Sequence, residues 1–99
     1  MARYDIYPSP DGRGYLLDIQ TDLLHGLNTR VVVPLLPEGD GPLAAKILNP
    51  VFVIGAQSHM MATQFLSAVP ATILRNATGT LRDRADDITR ATDMLFHGF

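Results

Sequence analysis

Tyr15-Leu16-Leu17-Asp18-Ile19-Gln20, followed by Arg30-Val31-Val32-Val33-Pro34-Leu35, is the pair of stretches that decides the fold class. In the first, Tyr15, Leu17 and Ile19 share one face and Leu16, Asp18 and Gln20 the other, which is the two-residue period of a β-strand. The second is rich in β-branched residues and reads as a further strand. Pro34 has no N–H to give to a ladder, so this strand is expected to lie at an edge there or to carry a bulge. His25, Gly26 and Asn28 mark the loop between the two.

Outward from this pair, Tyr4 and Ile6 alternate with Arg3 and Asp5 as an earlier strand. Pro8, Pro10, Asp11, Gly12 and Gly14 form a dense turn signal, so the first two strands read as a hairpin with a loop of several residues. Leu36 to Pro42 reads as an exposed loop because prolines, glycines and acids crowd it. Pro50 to Ile54 is a short apolar strand. Ser58 to Phe65 continues the sheet beyond a turn at Gly55, and Val69 and Pro70 lead into Ala71 to Leu74 as the last strand.

Asn76 to Thr80 breaks the strand pattern and a helix follows. Thr80, three residues before Asp83, resembles a capping box with Asp in place of the usual Glu. Asp83, Asp86 and Asp87 crowd the helix start, where the macrodipole favours negative charge, and Asp86 and Arg90 lie four apart in the favourable order. Leu81, Ala85, Ile88, Thr92 and Leu95 fall on one stripe that can cover the sheet, and Gly98 is a natural residue to end the helix. The expectation is one domain over residues 1–99. It is mainly β, an antiparallel sheet of about five strands closed by one C-terminal α-helix. Leu17, Ile19, Val33 and Ile88 are expected in its core.

The chain has 99 residues, 46% of them hydrophobic, and no cysteine. It therefore has no disulfide framework and no thiolate chemistry, which fits a reducing cytoplasm. No apolar segment at the N-terminus has signal-peptide length, and the stretches Val31 to Leu36 and Val51 to Ile54 are too short to span a bilayer. A cytoplasmic protein without membrane contact is expected. The formal charge is −2 and Lys46 is the only lysine. Binding duplex DNA alone calls for a surplus of cations, so a protein partner is the better expectation than nucleic acid.

Catalytic patterns are lacking. His25, His59 and His97 are not spaced as metal ligands, no serine sits in a nucleophile elbow, and no glycine-rich loop precedes a helix. The acids of the last helix read as a solvated face. No metal, no cofactor and no enzymatic activity are expected. Two features call for a surface explanation. Leu23 and Leu24 are adjacent: either a strand end tucks one inward, or the pair is an exposed apolar contact, since a strand cannot bury two consecutive side chains on one face. At the other end Phe96-His97-Gly98-Phe99 follows the helix. Either Phe99 packs back on its own domain, or it is a presented aromatic anchor.

Leu17-Asp18-Ile19-Gln20-Thr21-Asp22, Arg30-Val31-Val32-Val33-Pro34-Leu35, Ser67-Ala68-Val69-Pro70 and the ending Asp86-Asp87-Ile88 through Met94-Leu95-Phe96-His97-Gly98-Phe99 resemble the CcdB toxin family in order and spacing. The resemblance covers nearly the whole chain. It implies an SH3-like antiparallel sheet with a long C-terminal helix, a symmetric homodimer, and the toxin role in a type II toxin–antitoxin module. Such toxins enter the opening between the two A subunits of DNA gyrase and stabilise the state in which gyrase is covalently attached to cut DNA. A CcdA-like antitoxin neutralises them with a flexible C-terminal segment. The family's gyrase-contacting tail falls on His97, Gly98 and Phe99, with Asp93 and Phe96 beside it on the helix and the apolar pair on Leu23 and Leu24. The family pattern carries Trp where His97 stands, Ile where Phe99 stands and Asn where Asp93 stands.

Two other readings give different expectations. A ribonuclease toxin on the related fold needs a basic, RNA-tracking groove and an acid–base cluster, against which the acidic composition argues. A non-toxic binding module would keep the fold without the target.

Overall fold

The computed structural model describes residues 2–39 and 45–99. Its strands are β1 (Asp5–Pro8), β2 (Tyr15–Asp18), β3 (Thr29–Pro37), β4 (Val51–Ile54), β5 (Gln57–Met61), β6 (Ser67–Pro70) and β7 (Gly79–Thr80), followed by the helix α1 (Ala85–His97). They form one antiparallel sheet in the order β4-β5-β3-β2-β1-β7, with β6 also paired to β3. The sheet curls into a half-barrel, and the fold is mainly β with one C-terminal helix, as the resemblance implied.

β3 is the organising strand. Val32 to Leu35 pair with Asp18 to Tyr15 of β2 on one side. On the other side Thr29 to Val32 pair with β6 and Leu35 to Pro37 with β5. Pro34 falls at the break between those two partners, where no ladder requires the N–H it lacks, while its carbonyl accepts from Ala62 at 2.9 Å. The strand therefore needs no bulge, and it is an edge only over that short gap. Gly14, with φ +76°, lets the β1–β2 loop meet β3: a Cβ there would come within 2.1 Å of the Leu35 carbonyl oxygen.

The two-residue period sorts the sheet onto two faces. Ile6, Leu17, Val33, Phe52 and Met61 form the main core with Leu81, Ile88 and Ala91 of the C-terminal segment. Their neighbours Tyr7, Leu16 and Val32 point the other way and pack with Val69 and Leu74. Leu17, Val33 and Ile88 are buried as expected, whereas Ile19 is only partly so.

Several boundaries differ from the sequence reading. The last strand before the break is Ser67–Pro70, and Ala71–Ile73 is a 3₁₀ turn. β5 stops at Met61, and a second 3₁₀ turn takes Thr63–Phe65. The expected loop at 36–42 begins later, since Leu36 and Pro37 extend β3; residues 40–42 lie outside the described residues. Tyr4 takes a left-handed φ of 76°, so β1 starts at Asp5.

The helix is also reached differently. Thr80 accepts from the Arg82 N–H at 3.2 Å, just ahead of a 3₁₀ turn at Arg82–Arg84 whose own cap position is Leu81, and does not form the expected box with Asp83. The ion pair here, among the described residues, is Arg84–Asp87 at 2.7 Å and not Asp86–Arg90. The Arg84 guanidinium also lies 4.7 Å from the centre of the Phe52 ring, which docks the helix start on β4. No helix among the described residues is long and apolar enough to cross a membrane.

Candidate functional site

The helix end carries the first group of residues expected to form the site. Gly98 ends α1 with φ +81°, and its N–H donates to the carbonyls of Asp93 (3.2 Å) and Met94 (3.1 Å). Glycine suits this position because a left-handed backbone costs it nothing. The bonds close the last turn and aim the tail outward. Phe96 and Phe99 are 64% and 85% exposed, so Phe99 does not pack back on its own domain. His97 and Gly98 are exposed and Asp93 half-buried, and the rings of His97 and Phe99 sit 6.1 Å apart.

Leu23 and Leu24 lie on another element. They belong to a 3₁₀ turn, Asp22–Leu24, and not to a strand end, and both face outward, at 88% and 46% exposed. Thr21 starts the turn by accepting the Leu23 N–H on its hydroxyl (3.3 Å) and the Leu24 N–H on its carbonyl (3.1 Å). Asp93, Phe96, His97, Gly98 and Phe99 are thus brought together by one helix end. No hydrogen bond or ring contact joins them to Leu23 and Leu24 among the described residues.

Beneath the turn lies a polar cluster that hydrophobic patterning does not reveal. Arg30 is 1% exposed and Asp18 fully buried. The Arg30 Nε donates to Asp18 Oδ2 at 2.9 Å, and Nη2 lies 2.7 Å from the same oxygen. The Gln20 N–H donates to the other carboxylate oxygen at 3.0 Å. Burial pushes the Asp18 carboxyl above its ordinary range, opposed by the Arg30 and Gln20 hydrogen bonds. Asp18 and Gln20 do share a face of β2 and its continuation, but that face is covered. The signal that could have found the cluster is phase: Arg30 is two residues from Val32, which the register sets opposite Asp18.

A cleft of about 740 Å³ opens elsewhere, between the β1–β2 loop and the β4–β5 hairpin. Tyr15 and His59 meet edge-on in it, 5.1 Å between ring centres, and the His59 Nδ1 is 3.0 Å from the Gln57 carbonyl. Arg13 and Thr78 also line it, and no carboxylate among the described residues does. No group of three or more His, Asp or Glu among the described residues could hold a metal ion. A comparison with protein-family models matches the CcdB protein family, whose members are toxin–antitoxin toxins acting on DNA gyrase, over residues 3–98; the chain belongs to that family.

Proposed function

We propose that this protein is the toxin of a type II toxin–antitoxin module, a cytoplasmic, single-domain homodimer that binds the gyrase A subunit and traps the covalent gyrase–DNA cleavage complex. The gyrase-binding residues are Leu23, Leu24, Asp93, Phe96, His97, Gly98 and Phe99. The observation that carries this reading is the outward presentation of the tail: Phe96 and Phe99 stand in solvent beyond a helix end fixed by Gly98. Large aromatic side chains are the residues that anchor protein interfaces.

The protein itself breaks no bond and is no enzyme. It binds the cleaved, open gyrase better than the resealed one, and that difference in affinity sets how far the equilibrium moves. A two-fold dimer presents two tails to a two-fold target. The dimer reading is supported by further exposed apolar side chains, Val53 and Phe65 among them, and by a size at which association often supplements a small core. A CcdA-like antitoxin is the proposed protein partner that neutralises it. No cofactor and no direct contact with free nucleic acid are needed.

The test incubates the purified protein with gyrase, supercoiled plasmid and nucleotide, then denatures the enzyme. Linear DNA is the expected product. Its absence, with intact gyrase activity, would sink the proposal in favour of a non-toxic binding module. RNA cleavage without linear plasmid would point to the ribonuclease reading.

A further inference from the structure

We propose that Arg30 is a positioning residue whose buried guanidinium, neutralised by Asp18, holds the Leu23–Leu24 turn in its gyrase-facing orientation through Asp22 and Gln20. The inference rests on the gyrase-binding reading above and explains how that surface is built.

A three-residue 3₁₀ turn has too few internal bonds to hold itself in water. Here it is tied from below. The Arg30 Nη2 lies 3.6 Å from Asp22 Oδ1, and that same oxygen accepts the Arg3 N–H at 2.9 Å. Gln20 donates from Nε2 to the Leu24 carbonyl (3.5 Å) and the Thr29 carbonyl (3.2 Å), and its Oε1 accepts the Val31 N–H (3.1 Å). Nη2 also donates to the Gln20 carbonyl at 3.3 Å. The individual ties to the turn are long, but they converge on both of its ends. Those to Asp22 and to the Gln20 carbonyl start from the Arg30 side chain, which Asp18 holds on two nitrogens in a buried site. The planar fork is what lets one side chain serve Asp18, Gln20 and Asp22 together; a lysine amine offers no such spread. Leu23 stands almost wholly in solvent and Leu24 about half so, and the polar clamp supplies the direction that a packed core would give elsewhere.

The experiment uses Asp22→Ala, which cuts the exposed end of the clamp while leaving the Arg30–Asp18 pair intact. Affinity for the gyrase A subunit is measured for the wild type, Asp22→Ala, the double variant Leu23→Ala/Leu24→Ala, and all three changes together. Asp22→Ala is expected to weaken binding about tenfold in the wild type, yet less than about twofold when both leucines are already gone, because it acts through them. Equal losses in both backgrounds, or no loss, would overturn the proposal. Amide hydrogen exchange separates it from the gyrase reading. Asp22→Ala should speed exchange at Leu24, His25 and Leu27 and leave Gly98 unchanged. If the wild type does not bind gyrase, the functional reading falls while the exchange result still decides the clamp; unchanged exchange at the three turn amides overturns it.

Discussion

The two parts of the proposed gyrase surface present the same kind of group by opposite means. The tail is carried by a thirteen-residue helix whose inner face buries Ile88 and Ala91, and its direction is set locally by the Gly98 cap. The Leu23–Leu24 turn has three residues, buries none of them, and is tied by the side chains of Gln20 and Arg30, the latter held in turn by Asp18. A helix transmits the stability of its packed face along regular bonds, whereas a short turn must borrow rigidity from what lies beneath it. The tail should therefore be insensitive to distant polar substitutions, and the turn should depend on them.

The harshest way to break this contrast is Asp18→Ala. It leaves the buried Arg30 guanidinium with only the Gln20 carbonyl and the longer Asp22 contact, and removing one partner of a buried ion pair costs about 3–5 kcal/mol. Urea unfolding is expected to show a loss of that size; a loss below about 1 kcal/mol would mean that Arg30 finds water or another partner. A comparable loss is expected from Leu17→Ala, at the fully buried centre of β2. There the cost is about 2–5 kcal/mol from lost transfer energy and a cavity. The two separate on inspection of the mechanism: Asp18→Asn should recover part of the first loss through hydrogen bonds, while no polar residue recovers the second.

The tail gives the opposite pattern. Removing residues 97–99 takes away exposed side chains and the helix cap, so stability should change by no more than about 1 kcal/mol. Plasmid linearisation by gyrase should nevertheless vanish, since an interface anchor is worth about 2 kcal/mol or more. A truncated protein that unfolds would make the tail structural; one that stays folded and still poisons gyrase would move the site elsewhere. Gly98→Ala is the finer version. A Cβ there meets nothing within 4 Å, so its cost is the left-handed backbone alone, about 1–2 kcal/mol. The tail direction should change with little effect on melting.

How much of this was legible follows from the same contrast. The alternation at Tyr15 to Ile19, the β-branched run from Arg30 to Leu35 and the stripe through Leu81 and Ile88 are signals carried by neighbouring residues, and they placed the central strands and the helix. The 3₁₀ turns at Asp22–Leu24, Thr63–Phe65 and Ala71–Ile73 have no period, and β7 has two residues paired only because β1 lies beside it. Arg30 was invisible as a buried group for a different reason. Charge alone says solvent, and only the register that sets Val32 opposite Asp18 brings the two ions onto one covered face. The tail residues are adjacent in the chain and could be read there; the clamp under the turn is assembled from β2, its continuation and β3, and could not.

The smallest effect concerns protons, and it separates the covered face from the surface. Asp18 and Asp11 are both held by hydrogen bonds, yet their carboxyl groups move in opposite directions. Asp11 is exposed and accepts the Ser9 hydroxyl at 2.7 Å and the Arg13 N–H at 2.9 Å, which hold it below its ordinary value of 3.8. Asp18 lies above that value because burial outweighs the Arg30 and Gln20 bonds, with Asp22 adding to the rise. The signs for stability follow. The folded chain binds the Asp11 proton less tightly than the unfolded chain, so the Asp11 contribution is full above the ordinary value and is lost as pH falls through the lowered one. For Asp18 the folded chain binds the proton more tightly, so its contribution favours folding as pH falls through the raised value toward the ordinary one. Carboxyl-carbon NMR titration should find Asp18 as the later of the two to lose its proton on raising pH. Asp11→Asn should flatten the acid limb of stability against pH, and Asp22→Asn, by removing a nearby negative charge, should bring the Asp18 midpoint down. If Asp18 instead titrates below Asp11, the Arg30 fork outweighs burial, and the clamp is more strongly ionised than its covered position implies.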